Sequence, residues 1–221
     1  KGSLHKDAHT YAYIYDLIFA PLRNVPVKFC EIGLQIGGPE QGAESTRSTT
    51  DTPSIRMWQS YFSHAKIYGL DISDFSAFQN ENFEFHQVDC GDQKRLAEVA
   101  TKLPEMDVIL DDGSHASFHQ QLTFVELWPR LKSGGIYIIE DVNWVPKRIE
   151  AALPPVARTA ELFRFKDQKP DGAVGDRVRA LREQMADIML ISNASLEGHR
   201  RFYNATVLNT KSARDTNRDA T

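Results

Sequence analysis

The chain has 221 residues, of which 41% are hydrophobic and 25% are charged, an ordinary composition for a globular protein with a sizeable core. The formal net charge of −4 excludes the strongly basic footprint of proteins that bind nucleic acid or anionic membranes. No apolar run approaches the roughly 18 residues of a membrane-spanning helix. The only two cysteines, Cys30 and Cys90, favour reduced thiols in a cytoplasmic protein over a disulfide framework.

The first 28 residues are predicted to form a helical segment, because apolar side chains recur at helical spacing from Tyr11 to Phe19. The first residue is a lysine, so we expect the chain to begin inside a longer polypeptide.

The first predicted strand begins at Val27 and runs into the glycine-containing turn EIGLQIGG. Gly33 lets the backbone turn tightly and lets a ligand approach closely. The glycine spacing departs from the dinucleotide pattern G-x-G-x-x-G. Because Glu31 precedes this glycine, the turn favours a ligand that carries an ammonium group over one that carries a pyrophosphate.

A polar, aperiodic loop, residues 39–53, follows and is typical of a lid or a binding loop. Ser54 is the predicted N-cap of the next helix, whose amino terminus could receive a ligand carboxylate. The second predicted strand, residues 65–72, carries Asp71 at its end. An acid at this position of an α/β nucleotide fold binds a ribose diol, although it could also cap a turn.

A third strand, residues 83–89, ends in Asp89, and a helix is predicted at residues 93–103. The following stretch, residues 107–144, is predicted to be a β-α-β unit. Its apolar runs, residues 108–110 and 136–139, are rich in the β-branched residues of buried strands. The helical pattern between them is closed by a Ser-Gly-Gly turn signal. Two strands joined in this way are parallel and share one carboxyl edge.

Four acids follow these two strands directly: Asp111, Asp112, Glu140 and Asp141. Neighbouring carboxylates repel each other, so the grouping is costly unless they bind a cation or accept hydrogen bonds. Oxygen ligands suit Mg²⁺, and His115 is a candidate general base beside them. Any single acid could instead cap a turn. The convergence of four acids and a histidine favours the metal site.

The pattern weakens after the central unit. Residues 145–175 are rich in proline and glycine, are predicted as a lid or substrate loop, and could contain a strand at residues 161–165. Residues 172–185 have helical spacing, and residues 186–192 and 202–209 could form an antiparallel hairpin. Five parallel strands followed by this hairpin predict a single domain, a doubly wound α/β sandwich with ligands at the carboxyl ends of its strands.

Five motifs taken together carry a resemblance to a known family: E-I-G, S-I-R-M-W, I-Y-G-L-D-I, D-D-G-S-H-x-x-x-H and I-I-E-D-x-x-W. Over residues 1–145 the chain resembles the metal-dependent sugar O-methyltransferases of macrolide biosynthesis, class I enzymes that use S-adenosylmethionine (SAM). The resemblance implies a Rossmann-like sandwich with a mostly parallel seven-stranded sheet and a C-terminal antiparallel hairpin. It also implies SAM and Mg²⁺, or another divalent cation, as cofactors.

The resemblance also assigns roles to residues. Asp112, Glu140 and Asp141 would hold the metal ion, and His115 would be the general base. Seven residues would bind the cofactor: Glu31 and Gly33 at the methionine end, Ser54 at its carboxylate, Asp71 at the ribose, Asp89 and Cys90 at the adenine, and Asp111 on the cofactor side. The loop after Gly33 and the carboxyl-terminal third depart from the family pattern, so the acceptor sugar stays open.

The implied reaction is methyl transfer to a hydroxyl of a small-molecule acceptor, a glycoside, without nucleic acid or membrane as partner. A metal would stabilise the developing alkoxide while the histidine accepts the proton. Two other functions remain open: a metal-dependent enzyme on the same fold without methyl transfer, such as a hydroxylase component or cyclase, and a non-catalytic SAM-binding domain of a larger protein. Whether the chain forms a homo-oligomer also stays open.

Overall fold

A single sheet organises the fold in the computed structural model of the chain. The described residues are 11–35, 38–39, 42–142, 144, 146–164, 172–193 and 204–211. The described residues therefore do not include residues 1–10 of the predicted amino-terminal segment, the turn of the predicted hairpin or the tail after Lys211.

Over the described residues the sheet has seven strands, in the order β3-β2-β1-β4-β5-β7-β6. The first five strands pair in parallel, and β7 is antiparallel to both β5 and β6. The predicted α/β class and the terminal antiparallel pair are confirmed. The strands are β1 Val27–Ile32, β2 Ala65–Asp71, β3 Phe83–Gln87, β4 Met106–Asp111, β5 Leu131–Ile139, β6 Met185–Asn193 and β7 Asn204–Lys211.

Helices cover both faces of the sheet. Buried side chains of the first two helices pack on one side, which we call the α1/α2 face, and those of the third, fourth, sixth and seventh pack on the other, the α3/α4 face. The described α-helices are α1 Tyr11–Phe19, α2 Pro53–Tyr61, α3 Gln93–Lys102, α4 Ser117–Leu127, α5 Lys147–Glu150, α6 Thr159–Arg164 and α7 Gly172–Leu181. In the described part of the chain, none of the helices combines the length and apolar character needed to cross a membrane.

Three local predictions are wrong. The strand predicted at residues 161–165 is a helix over its described part, because Thr159, Leu162 and Phe163 are buried at the i, i+3, i+4 spacing of one helical face. A short apolar run alone does not distinguish the two structures.

The N-cap position of the helix after the polar loop is Thr52 and not Ser54, and the Thr52 side chain makes no capping hydrogen bond. Pro53 occupies the first helical position, where its fixed φ favours the helix and its missing N–H costs nothing, so Ser54 lies inside the first turn.

The Ser-Gly-Gly turn predicted before the second central strand is part of β5 itself. Pairing with β4 passes from Met106–Leu131 to Val108–Ile136 with a register shift, so the extra residues form a bulge. Gly134 supports this bulge with a φ of 77°.

Candidate functional site

Side chains at the carboxyl ends of β4 and β5 alternate between the two faces of the sheet. Leu110 and Ile138 pack in the α1/α2 core. The backbone ladder continues beyond the strands, since Asp112 N–H donates to the Ile32 carbonyl at 2.9 Å and Glu140 N–H donates to a carbonyl of β4 at 2.9 Å. With a period of two residues, Asp112 and Glu140 are therefore on the same face as Leu110 and Ile138.

Asp111 is on the opposite face. Its buried carboxylate accepts hydrogen bonds from Thr123 Oγ1 of α4 and from Gly113 N–H, the latter at 3.2 Å. Burial raises the pKa of the Asp111 carboxyl to about 6. The four acids thus share one edge of the sheet, but Asp111 contacts α4 and supports the turn from the other side.

Glu140 is held on three sides. Its N–H is bonded to β4, its carbonyl oxygen accepts a hydrogen bond from Gln120 Nε2 at 3.0 Å, and its Oε1 accepts one from the Tyr15 hydroxyl. Sequence reasoning missed Tyr15, because it is 125 residues away in the chain and no local motif marks it. The next residue, Asp141, has a φ of 52°, and its carbonyl accepts a turn hydrogen bond from Trp144 N–H at 2.9 Å.

His115 also has an unusual backbone, with a φ of 60°. Among the described residues, His115 and Asp141 are the only non-glycine residues with positive φ. A positive φ is uncommon for non-glycine residues, although His and Asp adopt it more often than most, and such backbones cluster at functional sites. The His115 ring meets the half-exposed Trp144 ring edge-on at 5.2 Å between centroids. Its Nδ1 is buried and has no hydrogen-bond partner within the described part of the chain.

These residues fit a divalent cation by the chemistry of their donors. Asp112, Glu140 and Asp141 supply hard oxygen atoms of the kind that Mg²⁺ prefers, and Asp112 and Glu140 follow adjacent parallel strands on one face. In the described residues, no three His, Cys, Asp or Glu side chains stand close enough to hold an ion in their present rotamers. The ligand set therefore stays a prediction.

The predicted cofactor residues of β1 and β2 meet around Gly33. The buried Glu31 carboxylate accepts a hydrogen bond from Ser54 Oγ at 2.8 Å. The Asp71 carboxylate accepts one from Leu34 N–H at 2.8 Å, just after the glycine. Glu31, Ser54 and Asp71 are thus brought together by the turn, as a ligand spanning β1 and β2 would require.

Gly33 lies at the contact between the turn predicted to bind the cofactor and the acids that follow β4. Its φ is +81°, and a Cβ built on it would lie 2.2 Å from the backbone oxygen of Asp112 and 2.7 Å from Gly113 Cα. The turn after β1 therefore packs backbone to backbone against the turn after β4. Only glycine permits this approach.

Replacing Gly33 by alanine should lower the free energy of unfolding by about 2–5 kcal/mol, since a left-handed backbone and an overpacked contact add their costs. Gly134→Ala is the matched control. Its φ is +77° and nothing lies within 4 Å of its added Cβ, so about 1–2 kcal/mol is expected. Urea unfolding measures both variants, and equal losses would contradict the close approach at Gly33.

The residues predicted at the adenine lie against the start of α4. Asp89 Oδ1 accepts a hydrogen bond from Gly91 N–H at 2.8 Å, and burial raises the pKa of the Cys90 thiol well above its usual value. His119 Nε2 would lie 2.8 Å from a Cβ on Gly91, and its Nδ1 is 2.7 Å from Ser114 Oγ. Burial lowers the pKa of His119. His119 thus joins this loop to the residue that precedes His115.

The two segments predicted as lid or substrate loops contact each other. Arg47, in the segment before α2, donates to the Gln35 carbonyl at 2.8 Å and to Ser73 Oγ at 3.1 Å. These contacts tie it to the turns after β1 and β2. Arg148 of α5 places Nη1 2.7 Å from where a Cβ on Gly42 would lie. The loops therefore meet next to the carboxyl edge of the sheet.

Comparison with known proteins supports the sequence resemblance. The chain is 37% identical over 142 residues to the 8-demethyl-8-alpha-L-rhamnosyl tetracenomycin-C 2'-O-methyltransferase of Streptomyces olivaceus, a match that covers 64% of this chain and 35% of that protein. It is 36% identical over 137 residues to the mycinamicin VI 2''-O-methyltransferase of Micromonospora griseorubida, with 61% and 32% covered. The chain spans about a third of the length of these relatives. No family model matches it. The similarity to sugar O-methyltransferases is confirmed.

A solved structure supports the fold. The MycE methyltransferase of the mycinamycin biosynthetic pathway, in complex with Mg and SAH, matches 94% of this chain and 51% of its own, with a TM-score of 0.67 and 23% identity. Likeness at this identity establishes the fold. The predicted Rossmann-like α/β sandwich, the fold of class I methyltransferases, is therefore confirmed.

Proposed function

We propose that this chain is the catalytic domain of a SAM-dependent, metal-dependent O-methyltransferase that methylates a hydroxyl of a glycosylated small molecule. The observation that carries the proposal is the backbone contact between Gly33 and Asp112, which brings the predicted cofactor turn against the predicted metal and base residues. The similarity to O-methyltransferases that act on sugar-bearing compounds, one of them rhamnosyl, supports the same reaction and acceptor class. The 221 residues would form one domain.

The cofactor would lie along the carboxyl ends of β1, β2 and β3. The buried Glu31 carboxylate favours the ammonium group of the methionine end, and Ser54, whose hydroxyl donates to Glu31, would contact the carboxylate of the cofactor. Asp71 would bind the ribose diol at the end of β2. The loop that contains Asp89 and Cys90 would line the adenine. SAM would supply a methyl group on a sulfonium, so transfer depends chiefly on in-line alignment with the acceptor hydroxyl.

Asp112, Glu140 and Asp141 would hold the divalent cation, which when bound stabilises negative charge developing on the acceptor oxygen. His115 would accept the hydroxyl proton. Because its Nδ1 is buried, we assign this role to Nε2. Trp144 is 43% exposed and lies edge-on to the same imidazole, so it would form a wall of the acceptor site. The two predicted lid or substrate loops, which contact each other, would exclude water from the acceptor site.

The direct test incubates the chain with SAM, Mg²⁺ and a panel of deoxysugar glycosides, with products read by mass spectrometry. We expect one acceptor to gain a single methyl group in amounts equal to the S-adenosylhomocysteine formed, and the gain to vanish with EDTA. Uptake of SAM and ion without a methylated product across the panel would favour different metal-dependent chemistry on this fold. Uptake of SAM without the ion and without a product would favour a non-catalytic SAM-binding domain, and uptake of neither would contradict the proposed function.

A further inference from the structure

We propose that Tyr15 is a positioning residue for Glu140, through which helix α1 sets the orientation of a carboxylate that binds the divalent cation. The proposal rests on the proposed function and deepens it. Its basis is the hydrogen bond that the Tyr15 hydroxyl donates to Glu140 Oε1. Tyr15 is 4% exposed and Glu140 is 2% exposed, so water does not compete for this contact.

The Tyr15 ring is fixed by its packing. It stacks on Phe19 with 5.5 Å between ring centroids and 10° between ring planes. It meets Trp58 of α2 edge-on, at 5.4 Å and 72°. These rings belong to the core of the α1/α2 face. The direction of the hydroxyl is therefore determined by two helices and not by the flexible backbone of a loop.

The backbone of Glu140 is fixed as well. Its N–H donates to the Asp111 carbonyl and its carbonyl accepts from Gln120 Nε2, so main-chain movement cannot compensate for loss of the tyrosine. A glutamate side chain normally has several accessible rotamers and loses this freedom when it binds a ligand. A hydrogen bond from a buried tyrosine restricts these rotamers in advance, as outer partners do for metal ligands in general.

Removal of the hydroxyl alone tests the proposal. Tyr15→Phe should weaken binding of Mg²⁺ or Mn²⁺, titrated without SAM or acceptor by calorimetry, by about tenfold or more. Affinity for SAM, measured separately, should stay within about twofold. Tyr61→Phe is the matched control, because the Tyr61 hydroxyl donates at 2.9 Å to Asp16 on the exposed side of the same helix. Its ion affinity should equal that of the wild type.

A second measurement needs no ion. A double-mutant cycle of Tyr15→Phe and Glu140→Gln on the free energy of unfolding should show coupling between the two positions, whereas Tyr61→Phe and Glu140→Gln should be additive. Additive effects of Tyr15→Phe and Glu140→Gln would overturn the inference. So would wild-type or tighter ion affinity in Tyr15→Phe, and both results would leave the proposed function standing. A wild-type protein that takes up no ion would overturn the proposed metal chemistry together with this inference.

Discussion

Replacing His115 by asparagine is expected to lower the rate of methyl transfer by about 10²- to 10⁴-fold, while the affinity for SAM stays nearly unchanged. The rate falls because a sugar hydroxyl remains protonated near neutral pH, and asparagine cannot accept its proton. The affinity persists because the residues proposed to bind SAM lie on β1 and β2, in the turns after β1 and β3, and in the first turn of α2. Asparagine is the informative replacement, since it tolerates the positive φ of 60° at this position better than alanine does.

Initial rates at saturating SAM and acceptor measure the effect, and calorimetry measures the SAM affinity. His64→Ala is the remote control, because the exposed His64 lies directly before β2, at the amino ends of the parallel strands. His119→Asn separates the two histidines of the motif. A large loss in His119→Asn together with near-wild-type turnover in His115→Asn would move the base to His119. Partial recovery of His115→Asn by added imidazole would support the assigned role.

The central β-α-β unit was predictable because its signals are local. β-branched residues at 108–110 and 136–139 indicate buried strands, and the intervening helical pattern makes their connection a parallel crossover. The observed register, with Asp111 opposite Ile139, places Asp112 and Glu140 next to each other at the shared edge. The sequence therefore predicts that the acids share one edge of the sheet, and the observed register shows that Asp112 and Glu140 are neighbours there.

The division of the acids between two faces follows from alternation, which the sequence also contains, but it requires knowing which helices cover which face. Asp111 contacts Thr123 on α4, whereas Glu140 contacts Tyr15 on α1. Which helix packs on which face is decided by the crossover connections and not by any residue near the acids. The contact of Tyr15 with Glu140 was therefore beyond sequence reasoning.

Two wrong local predictions also arise because contacts distant in the sequence decide the structure. In the sequence the apolar residues Leu162 and Phe163 predict a strand, and only burial together with Thr159 reveals a helical face. A run of this length satisfies both periodicities. The Ser-Gly-Gly sequence predicts a turn before the strand, although pairing with Met106 already begins at Leu131. Pairing resumes at Ile136, so the signal marks an interruption within β5 and not the start of the strand.

Replacing Asp112 tests the proposed metal site, and the adjacent Asp111 provides the control. Asp112→Asn should abolish measurable uptake of Mg²⁺ and lower methyl transfer by about 10²- to 10⁴-fold, since the metal supplies several kcal/mol of charge stabilisation. The amide keeps the size of the side chain and leaves the backbone bond from Asp112 N–H to Ile32 intact. Asp111→Asn removes an equal charge one residue earlier, on the opposite face, and should retain the ion affinity within about threefold.

The pair of variants separates a metal site from acids that only cap turns. If the acids merely capped turns, Asp112→Asn would lower the free energy of unfolding and leave ion binding and activity largely intact. If Asp112 is a ligand, loss of one negative oxygen from a crowded set relieves repulsion, and the ion-free variant should be as stable as the wild type or more stable. Calorimetry with Mg²⁺ and urea unfolding in EDTA measure the two quantities independently. Equal ion affinity in Asp112→Asn and Asp111→Asn would refute the assignment, because only the face to which each carboxylate points distinguishes these neighbours.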